Sequence, residues 1–230
     1  GYFFSTGVTL KSNVWIVSDG ALLYNDATIT AVGNYLFYLN DCDNVRISGF
    51  RITAKTAGVW PVTANPEQAV HLQGVIRDVH LDHLDLKDHQ NFVIVYGDST
   101  LTTAADYIDG LYLEDIKIQG ECGEAGVGSG IDMFPYETSA NPTSRNVFLN
   151  NLHIDVSRGE ASQANHGPQC LKISNIDGVF GSNWFLRGGD VSCVTFTNGC
   201  RNVNVSNIRT GKAAVGLTIS TANTGGVVAV

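Results

Sequence analysis

A nine-residue phrase recurs along the chain, and this repeat restricts the possible folds more than any other feature. Six gap-free copies occupy residues 44–52, 78–86, 110–118, 146–154, 178–186 and 202–210. The second position of each copy is apolar, and these anchors are Val45, Val79, Leu111, Val147, Val179 and Val203. The anchors are 34, 32, 36, 32 and 24 residues apart, which indicates a repeating unit of about 24 residues that carries insertions of variable length.

Each copy reads as two short strands that meet at a bend. Apolar residues stand at positions 2, 4, 7 and 9. This is the two-residue alternation of a strand, except for a break where one extra residue lies between positions 4 and 7. The residues at the break, position 6, are Gly49, His83, Asp115, Asn151, Asn183 and Asn207. Gly, Asn and Asp tolerate left-handed backbone angles. We therefore predict a left-handed bend at this position of every copy.

A third short alternating run accompanies each copy. These runs are Val70–Leu72, Val93–Val95, Ile131–Met133, Leu171–Ile173, Val194–Phe196 and Leu217–Ile219. Three strands in a unit too short for crossover helices indicate a parallel β-helix. The sequence therefore predicts an all-β chain in which residues 1–230 form a single domain.

The opening of the chain resembles a known class of proteins. Residues Thr9–Ala21, the three-strand coil and the Asn-rich turn are similar to right-handed β-helices of the pectin lyase type, which include polygalacturonases, alginate epimerases and phage tailspikes. The resemblance implies a right-handed parallel β-helix of about seven to eight coils. Families of very different chemistry share this fold, so the resemblance implies the fold and not the reaction. It also implies a fragment of a longer chain, because such proteins place a Gly-rich segment and a capping helix before this opening.

Composition excludes several classes of partner. With 14 Lys and Arg against 22 Asp and Glu, the net charge of −8 argues against a nucleic-acid partner. No apolar run reaches the roughly 18 to 20 residues that cross a bilayer, so we expect no membrane insertion. The five cysteines lack the close doublets of a zinc site, and we predict buried thiols, with no metal and no cofactor.

The middle residues of the third runs should form an outward column on one face. We predict this column as Phe37, His71, Ile94, Asp132, Lys172, Thr195 and Thr218. Asp132 and Lys172 would then be neighbours on adjacent coils. Two interpretations remain open: an exposed salt bridge worth under ~1 kcal/mol, or the centre of a groove.

Long connections on both sides of this column favour the groove. Residues 134–146 and 155–169 carry aromatic, acidic and basic side chains, which suit a carbohydrate chain. The predicted catalytic residues are Asp132, Glu137 and Lys172. The predicted substrate-binding residues are His71, Tyr136, Arg145, Asp155, Arg158, Glu160 and His166.

Two kinds of chemistry fit these residues. A glycosidase needs two carboxyl groups. Asp132 could be one of them, and Glu137, Asp155 or Glu160 could be the other. A β-eliminating lyase or an epimerase needs a base and a cation, and the candidates are Lys172, His71, His166 and Arg158. The paired Asp of polygalacturonases is missing, so that specific activity is not predicted.

The leading hypothesis is a phage tailspike-like protein that binds and depolymerises a bacterial surface polysaccharide. The resemblance implies a homotrimer located in a virion tail or outside the cell. The alternatives are a secreted polysaccharide lyase or epimerase, and a non-catalytic glycan-binding or structural β-helix.

Overall fold

The computed structural model describes most of the chain. It covers residues 1–4, 7–25, 34–53, 67–87, 89, 92–97, 106–122, 129–135, 144–158, 169–188, 192–197, 199–211 and 215–219. Within these ranges every regular element is a β-strand. The all-β prediction is therefore confirmed for the described residues.

Fourteen strands are described. They are β1 Tyr2–Phe4, β2 Val8–Leu10, β3 Trp15–Asn25, β4 Asn34–Thr53, β5 Glu67–Lys87, β6 Phe92–Tyr96, β7 Tyr107–Cys122, β8 Ser129–Met133, β9 Ser144–Arg158, β10 Gln169–Ser174, β11 Ile176–Gly188, β12 Ser192–Thr197, β13 Arg201–Gly211 and β14 Val215–Ile219.

Ten of the strands form one nearly closed, all-parallel sheet. The order is β13-β11-β9-β7-β5-β6-β8-β10-β12-β14, and all nine pairings are parallel. The path turns back at β5, where Val70 pairs with Ile94 of β6 and Val79 pairs with Leu111 of β7. We call β5, β7, β9, β11 and β13 the long arm, and β6, β8, β10, β12 and β14 the short arm. Inward side chains of both arms join one hydrophobic core.

The six anchors of the repeat lie in one continuous register. Each is the direct partner of the next on the adjacent parallel strand, from Val45 to Val79 and onward to Val203. All six are at most 2% exposed. The predicted inward stack is confirmed, because a parallel register repeats the same face on every strand.

The predicted left-handed bends are also present. Position 6 of all six copies has positive φ, between 52° at His83 and 79° at Gly49. Position 1 has positive φ as well, in the residues Asn44, Asp78, Gly110, Asn146, Gly178 and Asn202. Each copy therefore begins at one left-handed residue and bends at a second.

Asparagine side chains link successive bends. The Asn183 amide donates to Asn151 Oδ1 at 3.0 Å, and the Asn207 amide donates to Asn183 Oδ1 at 2.7 Å. The bend requires a left-handed backbone angle and hydrogen bonds to the bends of both neighbouring strands. Asparagine meets both requirements, because it tolerates left-handed angles and its side-chain amide both donates and accepts.

The residue before each copy forms a column of alternating charge. Successive register partners in this charge column are Asp43, Arg77, Asp109, Arg145, Asp177 and Arg201. The Arg145 guanidinium lies 2.7 Å from Asp109 Oδ2. Because every strand places opposite charge beside its neighbours, the column favours the observed register.

Candidate functional site

A polar strip runs along the short arm and the start of β4 and β5. One column contains Tyr38, His71, Val95, Asp132, Lys172, Thr195 and Thr218, which are successive register partners. The second column lies three residues earlier on the same strands. Its described side chains are Tyr35, Gln68, Ser129, Gln169 and Ser192.

Side chains three residues apart contact one another along the strip. Gln68 Oε1 accepts a hydrogen bond from His71 Nδ1 at 2.6 Å, and the hydroxyls of Ser192 and Thr195 are 2.6 Å apart. The rings of Tyr35 and Tyr38 stack with centroids 4.5 Å apart. The earlier column therefore orients the later one.

The predicted column was wrong at two of its seven positions. Phe37 and Ile94 are buried in the core, where both are register partners of Val70. Tyr38 and Val95 occupy the strip instead. Because Val93, Ile94 and Val95 are all apolar, alternation could not show which of them faces inward. His71, Asp132, Lys172, Thr195 and Thr218 lie in the column as predicted. Three of them, His71, Asp132 and Thr195, are buried rather than exposed on a surface.

Asp132 is the carboxyl group among the described side chains of the strip, and its pKa is strongly raised. Asp132 is 1% exposed, and its Oδ1 has no hydrogen-bond partner among the described residues. Burial raises the pKa of Asp132 to about 8, against the opposing influence of the Lys172 charge and of hydrogen bonds from Ser129 and the Met133 backbone. A carboxyl with this pKa carries a proton at pH 7 and can donate it.

Lys172 stands beside Asp132 in register, as predicted, but the two do not form an exposed salt bridge. The Lys172 ammonium lies over the ring of Phe134, 4.0 Å from its centroid. The carboxyl group of its neighbour is buried rather than on the surface. The salt-bridge interpretation of this pair is therefore wrong, and a buried acid lies next to a half-buried cation.

The structure places the other predicted residues as follows. Arg145 and Asp155 lie in β9 of the long arm rather than in connections, and each is held by an opposite charge: Arg145 by Asp109 at 2.7 Å and Asp155 by Arg187 at 3.7 Å. The backbone of Arg158 ends β9. Tyr136, Glu137, Glu160 and His166 lie outside the described residues. His71, Asp132 and Lys172 are thus the predicted residues that the described structure brings together.

A second polar cluster lies where β4 pairs with β5 of the long arm, and sequence reasoning missed it. Asp82 is 4% exposed, and both its oxygens bind the Arg46 guanidinium at 2.8 and 3.1 Å. Ser48 and His83 also donate to Oδ1 of Asp82. Burial works against the charged form, but these donors lower the pKa of Asp82 to about 2. We call Arg46, Ser48, Asp82 and His83 the Asp82 cluster.

His83 links this cluster to the next strand. Its Nδ1 lies 2.8 Å from Asp82, and its Nε2 lies 3.2 Å from Asp115. These contacts, the hydrogen bond to Asp82 above all, raise the pKa of His83. Because both ring nitrogens are engaged by carboxylates, His83 is not positioned to accept a proton from a substrate. The cluster is suited to holding strands together, although it borders an open groove of about 430 Å³.

Within the described ranges, no three His, Cys, Asp or Glu side chains converge as a metal site. The described part of the chain also contains no helix with the length and apolar character needed to span a membrane.

Comparison with known proteins finds no matching family model, no matching curated protein and no matching solved structure. The geometry of the strip is therefore the basis for assigning a function.

Proposed function

We propose that the chain is a right-handed parallel β-helix and a tailspike-like protein that binds a bacterial surface polysaccharide along the polar strip and depolymerises it. The observation that carries the proposal is Asp132, a buried acid with an unpartnered oxygen among the described residues, in the middle of that strip. Burying a polar atom without a partner costs stability. A cost of this kind is typical of functional positions.

The strip has the dimensions of an extended binding site. The column from Tyr38 to Thr195 crosses six adjacent strands, which are separated by five spacings. At a strand spacing of about 4.8 Å the column is about 24 Å long. Along it lie tyrosine rings, an imidazole, an ammonium and hydroxyls. Rings can cover apolar faces of sugars, and the polar groups can bind hydroxyls or carboxylates.

The chemistry that follows is proton donation to a glycosidic oxygen. Asp132 keeps its proton at neutral pH because burial raises its pKa to about 8, and a general acid of a glycosidase needs such a raised pKa. Lys172 and His71 then serve as substrate-binding groups. Glu137 stays our predicted second carboxyl group, and Asp155 is a weaker choice because Arg187 already engages it.

A lyase or epimerase is the second candidate, and Lys172 is the observation that favours it. The ammonium is the register neighbour of Asp132. In that position it would neutralise a uronate carboxylate or, when deprotonated, act as a base. The same strip would then serve a β-elimination rather than a hydrolysis.

Product analysis separates these candidates. The protein is incubated with a panel of purified bacterial capsular polysaccharides, and each digest is examined for new reducing ends and for the ultraviolet absorbance of an unsaturated uronate. We expect new reducing ends without that absorbance. The absorbance would identify a lyase, while binding without either product would identify a glycan-binding or structural β-helix. Absence of both binding and products would contradict the proposal.

Assembly and location belong to the same proposal. A tailspike-like protein is expected to be a homotrimer in a virion tail or outside the cell, with no nucleic-acid partner and no cofactor. Light scattering of the purified chain should give three times its mass of 24.6 kDa.

A further inference from the structure

Two cysteines occupy neighbouring positions on adjacent strands of the short arm. Leu171 and Lys172 of β10 pair with Val194 and Thr195 of β12. One residue earlier in this parallel register, Cys170 stands beside Cys193. Adjacent strands are about 4.8 Å apart, which lies within the roughly 4.4 to 6.8 Å that separates the Cα atoms of disulfide-bonded residues.

The two thiols also point to the same place. Both residues are 0% exposed, and both sulfurs lie near the carbonyl oxygen of Gly188, Cys170 Sγ at 3.9 Å and Cys193 Sγ at 3.3 Å. A hydrogen bond with Cys170 lowers the pKa of the Cys193 thiol. A thiolate is the reactive form of cysteine.

Two further cysteines provide an internal comparison. Cys42 and Cys200 are also buried, at 1% and 3% exposed, but their sulfurs donate to the backbone carbonyls of Leu10 and Ile173. Burial raises the pKa of both thiols. Proximity to a second thiol, and not burial, therefore distinguishes Cys170 and Cys193 from the other two cysteines.

We propose that Cys170 and Cys193 form a reversible disulfide when the folded protein meets hydrogen peroxide. The Cys193 thiolate attacks one peroxide oxygen, the O–O bond breaks, and a sulfenic acid and hydroxide result. Cys170 sulfur then attacks the Cys193 sulfur, the S–O bond breaks, and the departing hydroxide takes up the Cys170 proton. In total two thiols and one peroxide give one disulfide and two waters. A small uncharged oxidant is required because both thiols are buried.

Peptide mapping of the native protein tests the inference. After peroxide treatment, the remaining thiols are alkylated under denaturing conditions and the chain is cut with trypsin. Cleavage after Lys172 and Arg187 places Cys170 and Cys193 in different peptides. We expect these two peptides to be joined, with a mass lower by two hydrogen atoms than their sum, and to separate on reduction with dithiothreitol.

The matched variants are Cys200→Ser, which removes the second cysteine of the same tryptic peptide, and Cys42→Ser. Both should still form the linked pair. Cys170→Ser should abolish it and leave Cys193 as a sulfenic acid that dimedone labels. Alkylated Cys170 and Cys193 after peroxide treatment of the wild type would overturn the proposal, as would linkage of either residue to another cysteine. The wild-type map decides the question even if Cys170→Ser does not fold.

Discussion

Asp82 on the long arm and Asp132 on the short arm are both buried, 4% and 1% exposed, yet their pKa values move in opposite directions. Asp82 receives hydrogen bonds from Arg46, Ser48 and His83, and its pKa falls to about 2. Asp132 has Lys172 as a neighbour but no ion pair to offset its burial, and its pKa rises to about 8. Burial alone therefore does not determine the protonation state of a carboxyl group; the charge and number of the donors that bind it also do.

The two residues therefore have different roles: Asp82 stabilises the fold, and Asp132 is suited to chemistry. A fully partnered carboxylate stabilises the fold and holds its charge, while a buried carboxyl without an ion pair keeps a proton that it can deliver. Variants that remove one carboxylate at a time should therefore have opposite consequences at the two sites.

The largest expected effect is on turnover. Asp132→Asn preserves the shape of the side chain but removes the acidic proton, so we expect depolymerisation to fall by a factor on the order of 10² to 10⁴ while the glycan still binds. Asp82→Asn is the matched control and should retain turnover. It should lower the free energy of unfolding by about 1–3 kcal/mol, because Arg46 loses a charged acceptor. Initial rates on the polysaccharide that the wild type cleaves give the comparison. Wild-type turnover in Asp132→Asn would remove Asp132 from the mechanism.

Stability should depend on pH in opposite directions for the two residues. The pKa of Asp82 is lowered from 3.8 to about 2, so its stabilising contribution is present above pH 4 and is lost as pH falls toward 2. The pKa of Asp132 is raised from 3.8 to about 8, so its contribution is present below pH 4 and is lost as pH rises toward and through 8.

Urea midpoints measured from pH 2 to pH 9 test this contrast. Asp82→Asn should reduce the acid-side loss of stability, and Asp132→Asn should reduce the alkaline-side loss. The raised pKa of His83 also gives stability that is lost as pH rises above 6.5. That contribution remains in Asp132→Asn, so the difference between this variant and the wild type isolates Asp132. Equal alkaline losses in both proteins would show that Asp132 is ionised in the fold.

The sequence predicted the scaffold better than the site. Six anchors and six bends follow from one repeat, because each copy must meet the same steric demands as its neighbour on the adjacent parallel strand. Aligning the copies also places Ser48 opposite Asp82, so the sequence alone could have predicted this contact of the Asp82 cluster. What the sequence could not show is the burial of Asp132, because alternation distinguishes core-facing from outward positions and does not say whether an outward residue meets solvent.

A bend variant tests the scaffold with a smaller effect. Asn183 has φ of 60°, and Asn183→Val should lower the free energy of unfolding by about 1–2 kcal/mol because β-branched residues disfavour left-handed angles. Asn183→Gly should cost less, since glycine adopts these angles readily. Asn204→Val, an exposed asparagine of β13 without positive φ, is the matched control. Chemical denaturation measures all three, and equal losses at 183 and 204 would contradict the role of the bend.

The smallest effect is expected in the charge column. Arg145 is 62% exposed at its side chain and pairs with Asp109 at 2.7 Å. Arg145 lowers the pKa of Asp109, but solvent screens an exposed pair, and such pairs contribute under ~1 kcal/mol. A double-mutant cycle of Arg145→Gln and Asp109→Asn should therefore give a coupling energy below that value, and high salt should reduce it further. Because the Arg145 guanidinium already binds Asp109 on the long arm, we also expect Arg145→Gln to leave KM for the polysaccharide unchanged. A several-fold rise in KM would instead support the sequence prediction that Arg145 binds substrate, and would extend the binding surface beyond the polar strip.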